Sequence, residues 1–118
     1  MDDEEVMRDT VSQMLCLMGY EVKLASRGEE AIRLYSQARK SGQPFDAVLL
    51  DLTIKGGLGG KETVKKLLKI DLGVKAVVVS GYSADPAISD FKSYGFKGAI
   101  PKPFTMKLLD GLLKEVIL

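Results

Sequence analysis

Five polar residues, spread over the length of the sequence, carry the side chains that phosphoryl transfer needs: Asp2, Asp3, Asp51, Ser80 and Lys102. Carboxylates that lie close together repel one another, and a cation such as Mg²⁺ relieves that repulsion. A carboxylate that attacks a phosphoryl group also needs positive charge and hydrogen-bond donors for the phosphoryl oxygens. Lys102 and Ser80 can supply these. The set predicts a Mg²⁺-assisted phosphoryl acceptor, provided that the fold gathers these residues.

Each of these residues alone has a simpler interpretation. Acidic residues 2–5 are typical of a solvated helix N-terminus, which the helix dipole favours. Asp51 alone could cap a turn, Ser80 could be an ordinary strand end, and Lys102 could be a surface lysine. The glycine-rich residues 55–60 lack the spacing of a phosphate-binding P-loop, so no nucleotide cofactor is predicted. Only the joint placement of the polar residues indicates chemistry.

Composition restricts the remaining possibilities. The chain has 118 residues, 17 Lys and Arg against 16 Asp and Glu, and no His. Without His, catalytic triads of the Ser-His-Asp type and a phosphohistidine on this chain are excluded. The length suits one domain, residues 1–118, with no effector domain. The net charge of +1 argues against nucleic acid as a partner, because phosphate neutralisation supplies most of that affinity.

The cellular setting follows from two further features. Cys16 is the single cysteine, so no internal disulfide forms, and its apolar surroundings predict a buried thiol. No apolar run approaches the roughly 20 residues that span a bilayer. We therefore expect a cytoplasmic protein that does not bind membranes.

Helical and strand patterns alternate along the chain. Helices are predicted from residue 6 or 7 to a stop at Gly19, from Ser26 to residues 41–42, through residues 64–68, after Asp85-Pro86 to Gly95, and after Thr105. Ser26 and Glu29 form the pattern of a capping box. Strands are predicted at residues 21–25, as a half-exposed edge strand, and at residues 47–50, 76–80 and 99–100. About five helices and four to five strands are expected.

Short strands separated by helices are joined by right-handed crossovers, which give a parallel sheet with helices on both faces. The predicted fold is therefore α/β, doubly wound and flavodoxin-like. Ligands of such sheets bind beyond the carboxyl ends of the strands. Asp51 ends one predicted strand, Ser80 ends another and Lys102 follows the last, so all should lie at one edge.

At this point the chain resembles the receiver domains of two-component response regulators and hybrid sensor histidine kinases. The resemblance covers essentially the whole chain. It is carried by Asp2-Asp3-Glu4-Glu5, Leu49-Leu50-Asp51-Leu52-Thr53, Val79-Ser80-Gly81-Tyr82 and Ile100-Pro101-Lys102-Pro103-Phe104. Residues 56–61 and 95–98 are most similar to receivers attached to hybrid sensor kinases.

The resemblance implies a role for each residue. Asp51 corresponds to the phosphoacceptor, Asp3 to the direct Mg²⁺ ligand with Asp2 beside it, and Thr53 to a residue whose backbone carbonyl binds the metal. Ser80 corresponds to the hydroxyl switch residue and Lys102 to the lysine that contacts the phosphate. The implied donor is a sensor histidine kinase or a phosphotransfer domain. The implied activity is that of a signalling domain, with at most self-phosphorylation and autodephosphorylation.

The chain departs from the family pattern at three places. Lys55 replaces the proline of the loop after the phosphoacceptor, and the loop is rich in glycine, so a more mobile loop is expected. Ala99 replaces an aromatic residue, which argues against output by aromatic rotation. Of the hydrophobic strand that precedes the acidic pair in the family, only Met1 remains, so the domain is predicted to be N-terminally truncated.

Loss of a central strand leaves unpaired backbone groups, which cost about 1–3 kcal/mol each when buried. Either residues 21–25 move over to pair with residues 47–50, or a second copy of the chain fills the gap as a homodimer. The homodimer is the favoured prediction. In either case Asp2 and Asp3 are expected to be displaced or mobile.

Two other functions are compatible with the sequence. A receiver-like interaction module would dock without being phosphorylated. More distantly, a Mg²⁺-dependent phosphohydrolase with an aspartyl-phosphate intermediate shares the chemistry. Phosphohydrolases of the haloacid dehalogenase type carry a second Asp two residues after the nucleophile, where this chain has Thr53.

Overall fold

The computed structural model of the protein describes residues 1–81 and 84–118. Its helices are α1 (Glu5–Leu17), α2 (Gly28–Lys40), α3 (Gly60–Ile70), α4 (Pro86–Ser89) and α5 (Met106–Ile117), with a 3₁₀ helix at Phe91–Tyr94. Its strands are β1 (Val48–Asp51), β2 (Ala76–Ser80) and β3 (Gly98–Pro101). No helix within these described ranges combines the length and the apolar character needed to cross a membrane.

The three strands form one parallel sheet in the order β1-β2-β3. The central strand β2 is buried along its whole length, as expected for an apolar strand covered on both faces. Pro101 ends β3 at the edge of the sheet, where its missing N–H costs no ladder bond. The predicted doubly wound α/β fold is confirmed.

The two faces of the sheet build separate cores. On one face, α2, α3 and α4 pack through Tyr35, Leu67 and Ala87 onto β1 and β2. On the other face, α5 packs through Leu109 and Leu113, while α1 contributes only half-buried side chains. The N-terminal helix is therefore the less firmly packed layer.

The prediction of four to five strands is wrong for the part of the chain that the structure describes, because residues 21–25 are not a strand. They do not pair with β1. Between them and β1 lies an open channel of about 980 Å³. Polar and apolar side chains both line it, and the apolar ones include Leu34, Leu49 and Leu113. Polar and apolar residues alternate in this segment, but a strand also needs a neighbour to pair with.

Met1 and Asp2 occupy one end of this gap. The Met1 amino group donates to the Leu49 carbonyl at 2.7 Å. The Met1 carbonyl accepts from the Asp51 N–H at 3.0 Å, and the Asp2 N–H donates to the Ala25 carbonyl at 3.0 Å. The alternative in which residues 21–25 shift onto β1 does not occur, and Asp2 is held in place. Met1 alone is enough to hold Asp2 at the site, because its two backbone bonds to β1 are the ladder bonds nearest the site.

Three local predictions are also corrected. α2 begins at Gly28 rather than after Ser26, and Ser26 donates its N–H to Glu30 instead of pairing with Glu29. The helix predicted after Asp85-Pro86 is two short helices, because Asp90 has a non-helical backbone. Cys16 is exposed rather than buried, since α1 covers the sheet incompletely.

Candidate functional site

Asp51, Lys102 and Asp2 form a cluster of charges at the carboxyl edge of the sheet. The Lys102 Nζ lies 2.9 Å from Asp2 Oδ2 and 3.4 Å from Asp51 Oδ2. All three side chains are largely buried, with 16% of Lys102, 12% of Asp2 and 8% of Asp51 exposed. One ammonium group therefore bridges two carboxylates that water screens poorly.

The strand register brings these residues together. Asp51 is the last residue of β1, and Ser80, the buried last residue of β2, is aligned with Pro101 of β3. The Lys102 N–H donates to the Ser80 carbonyl at 2.7 Å. Lys102 directly follows the last residue of β3. Its side chain reaches past the end of β2 to Asp51 at the end of β1.

The acidic residues at the start of the chain form a second group beside this cluster. Carboxylate oxygens of Asp2, Asp3 and Glu4 all lie within 4.8 Å of one another. Asp2 is fixed by its contact with Lys102 and by the Glu4 N–H, which donates to Asp2 Oδ1 at 2.9 Å. Asp3 accepts the Lys55 N–H at 3.1 Å. These contacts correct the expectation that Asp2 and Asp3 are displaced.

The charges of this group act on Asp51. Burial raises the pKa of Asp51 from 3.8 to about 6; Lys102 opposes the rise, and Asp2 and Asp3 add to it. Burial alone lowers the pKa of Lys102, but the hydrogen bond to Asp2 and the charge of Asp51 outweigh it, so that pKa is raised. The site carries more negative charge than one lysine neutralises.

The raised pKa predicts that Asp51→Asn stabilises the metal-free protein at neutral pH. The folded state binds the Asp51 proton more tightly than the unfolded state, so stability is lost as pH rises from the unfolded pKa of 3.8 through about 6. The uncharged variant escapes this loss of about 3 kcal/mol. Urea unfolding with a chelator should show a higher unfolding free energy for Asp51→Asn at about pH 7.5 and little difference between the two proteins at about pH 4.

Burial lowers the pKa of the Met1 amino group to about 6, and the Asp51 charge partly opposes that fall. The two titrations are therefore coupled, and the two proteins are compared at the two ends of the pH range rather than within it. Equal stability of the two proteins at neutral pH would show that the Asp51 carboxylate is not under electrostatic strain.

The predicted site residues lie as follows. Asp2, Asp51 and Lys102 are in direct contact, Asp3 adjoins Asp2, and Ser80 meets Lys102 through its backbone. Thr53 is exposed, two residues beyond Asp51. Tyr82 of the quoted motif lies outside the described residues. The half-buried Ala99 pairs with Val78 in the sheet.

Sequence reasoning missed two residues at this site. Glu4 adds a third carboxylate to the acidic group. Arg8 donates to the Asp2 carbonyl at 2.8 Å and ties α1 to the site. Arg8 bonds the backbone of a residue six positions away, so the spacing of charges one helical turn apart does not indicate this contact.

Comparison with known proteins gives the following similarities. The family model described as "Response regulator receiver domain" matches residues 1–114. A response regulator receiver protein of Anaeromyxobacter sp. (strain Fw109-5) is 33% identical over 92% of this chain. This chain spans only 44% of that relative's length. Sporulation initiation phosphotransferase F of Bacillus subtilis is 25% identical over 98% of this chain and 89% of its own.

A solved structure agrees in fold. The response regulator protein TrrA from Thermotoga maritima, in complex with Mg²⁺ and BeF, has a TM-score of 0.80 and 27% identity. The match covers 99% of this chain and 94% of TrrA.

Proposed function

The chain belongs to the response regulator receiver domain family, and we propose that it accepts a phosphoryl group on Asp51 in two-component signalling. The observation that carries this proposal is the largely buried Asp51 carboxylate, 3.4 Å from the Lys102 ammonium at the carboxyl edge of the sheet. A carboxylate with a raised pKa keeps nucleophilic electron density, and the neighbouring lysine offers charge to a phosphoryl oxygen.

The proposed reaction transfers a phosphoryl group from a phosphohistidine. A carboxylate oxygen of Asp51 attacks phosphorus, an O–P bond forms, and the P–N bond to the donor imidazole breaks. The imidazole nitrogen keeps the electron pair of that bond and takes a proton from solvent. The product is an acyl phosphate on Asp51. Lys102 is placed to contact it, and Ser80 ends the adjacent strand.

The acidic residues fit Mg²⁺ as cofactor. Hard carboxylate oxygens are the ligands that Mg²⁺ prefers, and the oxygens of Asp2, Asp3 and Glu4 lie within 4.8 Å of one another. We assign Asp3 and Asp51 as the main ligands, with Asp2 beside them and the Thr53 carbonyl as a further one. A bound Mg²⁺ supplies positive charge that offsets the carboxylates and the phosphoryl oxygens.

The proposed partner is a sensor histidine kinase or a phosphotransfer domain, because the chain has no His of its own to carry the donor phosphate. Incubation with a phosphorylated histidine phosphotransfer domain tests this. We expect label to move to this chain in Mg²⁺ and to be released by hydroxylamine, which cleaves acyl phosphates. Label that resists hydroxylamine would contradict an aspartyl phosphate.

We predict that Asp3→Ala lowers Mg²⁺ affinity and Mg²⁺-dependent phosphorylation by at least about tenfold. Stability without metal should stay within about 1 kcal/mol or rise, because the variant loses one exposed hydrogen bond but relieves carboxylate repulsion. Metal titration and thermal unfolding measure both effects, with Asp9→Ala on the exposed side of α1 as the control. A clear drop in metal-free stability would show that Asp3 serves the fold instead.

A further inference from the structure

The loop that follows Asp51 is held by the start of α2 through both backbone groups of one residue. The Leu58 carbonyl accepts the Gly28 N–H at 3.0 Å. The Leu58 N–H donates to Glu29 Oε1 at 2.8 Å. This second bond lowers the pKa of Glu29. Glu29 was predicted to cap its own helix, but its carboxylate reaches across to this loop instead.

Close packing fixes where this contact forms. A Cβ on Gly28 would lie 2.1 Å from Thr63 Oγ1 and 2.8 Å from the Leu58 carbonyl oxygen. A Cβ on Gly57 would approach both Arg27 and Glu29 within 3.3 Å. The loop therefore meets α2 without intervening side chains, and Glu29 bonds to it at a defined point.

The same loop is tied to the candidate metal site at its other end. The Lys55 N–H donates to Asp3 Oδ2 at 3.1 Å. Thr53, whose carbonyl is assigned to Mg²⁺, lies between this contact and Asp51. If Asp3 turns its carboxylate to a metal ion, the Lys55 bond weakens. The bond from the Leu58 N–H to Glu29 then remains as the side-chain bond nearest the middle of the loop. At the far end of the loop the Thr63 hydroxyl donates to the Gly59 carbonyl at 2.6 Å.

We propose that Glu29 is a positioning residue for the metal site. It holds the loop of residues 52–59 on α2, so that the backbone that carries the Thr53 carbonyl keeps one conformation when Mg²⁺ binds. This inference rests on the proposed function. Glu29 does not contact the metal or the phosphoryl group. Because Gly56 and Gly57 give the loop wide backbone freedom, an external anchor has a large effect on its conformation.

The test uses Glu29→Ala, Glu29→Gln and Glu62→Ala. Glu62 is the matched control, since it is also an exposed acid in the first turn of a helix, α3. In the metal-free chain, hydrogen exchange at the Leu58 amide should become on the order of tenfold faster in Glu29→Ala. The Mg²⁺ dissociation constant from calorimetry should rise on the order of tenfold. Glu29→Gln keeps an oxygen acceptor and should restore most of both properties.

Each result bears on the proposal. Unchanged Leu58 exchange in Glu29→Ala would overturn it, because the anchor would not exist in solution. Faster exchange with unchanged Mg²⁺ affinity would also overturn it, as would an equal loss of affinity in Glu62→Ala, which would indicate a general charge effect. Failure of the unmodified chain to bind Mg²⁺ or accept phosphate would instead refute the proposed function, and Leu58 exchange would still decide whether Glu29 anchors the loop.

Discussion

Asp51→Asn is expected to abolish phosphoryl labelling of the chain by any donor. The asparagine amide is a poor nucleophile. The other nearby carboxylates already accept hydrogen bonds, Asp2 from Lys102 and the Glu4 N–H, and Asp3 from the Lys55 N–H, so they are not expected to replace Asp51. The asparagine has nearly the same shape, so the fold is retained. Labelling by a radioactive donor should fall below detection.

Asp46→Asn is the matched control for this experiment. Asp46 is exposed and lies just before β1, so it undergoes the same chemical change outside the site, and its labelling should equal that of the unmodified chain. Persistent labelling of Asp51→Asn, mapped to another carboxylate, would move the phosphoacceptor away from Asp51.

The second large effect is expected from filling the channel beside β1. In a parallel ladder alternate residues of a strand bond to opposite sides. Val48 and Leu52 donate to the β2 side, while Leu49 and Asp51 face the channel. The Met1 amino group occupies the Leu49 carbonyl, but no hydrogen bond within the described ranges reaches the Leu49 N–H. The edge of β1 is therefore open at Leu49, which lines the channel.

A four-residue apolar extension fused ahead of Met1, such as Val-Leu-Val-Val, should continue the Met1 pairing and raise the unfolding free energy by about 4 kcal/mol. Each buried apolar side chain contributes about 2 kcal/mol and each ladder bond about 1 kcal/mol. Ordering each added residue costs about 1.5 kcal/mol. Urea unfolding measures the gain. The extent of phosphorylation should rise only slightly, because Asp2 is already held by Lys102 and Ala25.

A Ser-Gly-Ser-Gly extension is the control, since it moves the amino group away from Leu49 to the same extent without apolar burial. Equal stability of the two extended proteins, with no new protection of the Leu49 amide, would show that the channel does not accept a strand.

Sedimentation of the unmodified chain tests the predicted homodimer, in which a second copy fills the channel.

The sequence predicted the elements whose signals are local. Gly19 and Gly95 both adopt positive φ at the ends predicted for their helices, and Thr105 caps α5 by accepting the Leu108 N–H. Asp51, Ser80 and Lys102 were expected at one sheet edge because each follows or ends a strand, and the register places them there.

The errors concern contacts between distant parts of the chain. The pattern of Ser26 and Glu29 resembles a capping box, but Glu29 binds Leu58, 29 residues away. Residues 21–25 alternate like a strand, yet no local signal shows whether a partner strand is present. The position of Asp2 depends on Ala25, Arg8 and Lys102, none of which is its sequence neighbour.

The intact mass of the unmodified chain after incubation with acetyl phosphate tests the central claim most directly. In the presence of Mg²⁺ we expect the mass to increase by one phosphoryl group, and to return to its starting value after hydroxylamine. With a chelator in place of Mg²⁺ we expect little or no increase. No added mass in Mg²⁺, for a chain that is folded by circular dichroism, would contradict the phosphoacceptor function and favour an interaction module that docks without phosphorylation.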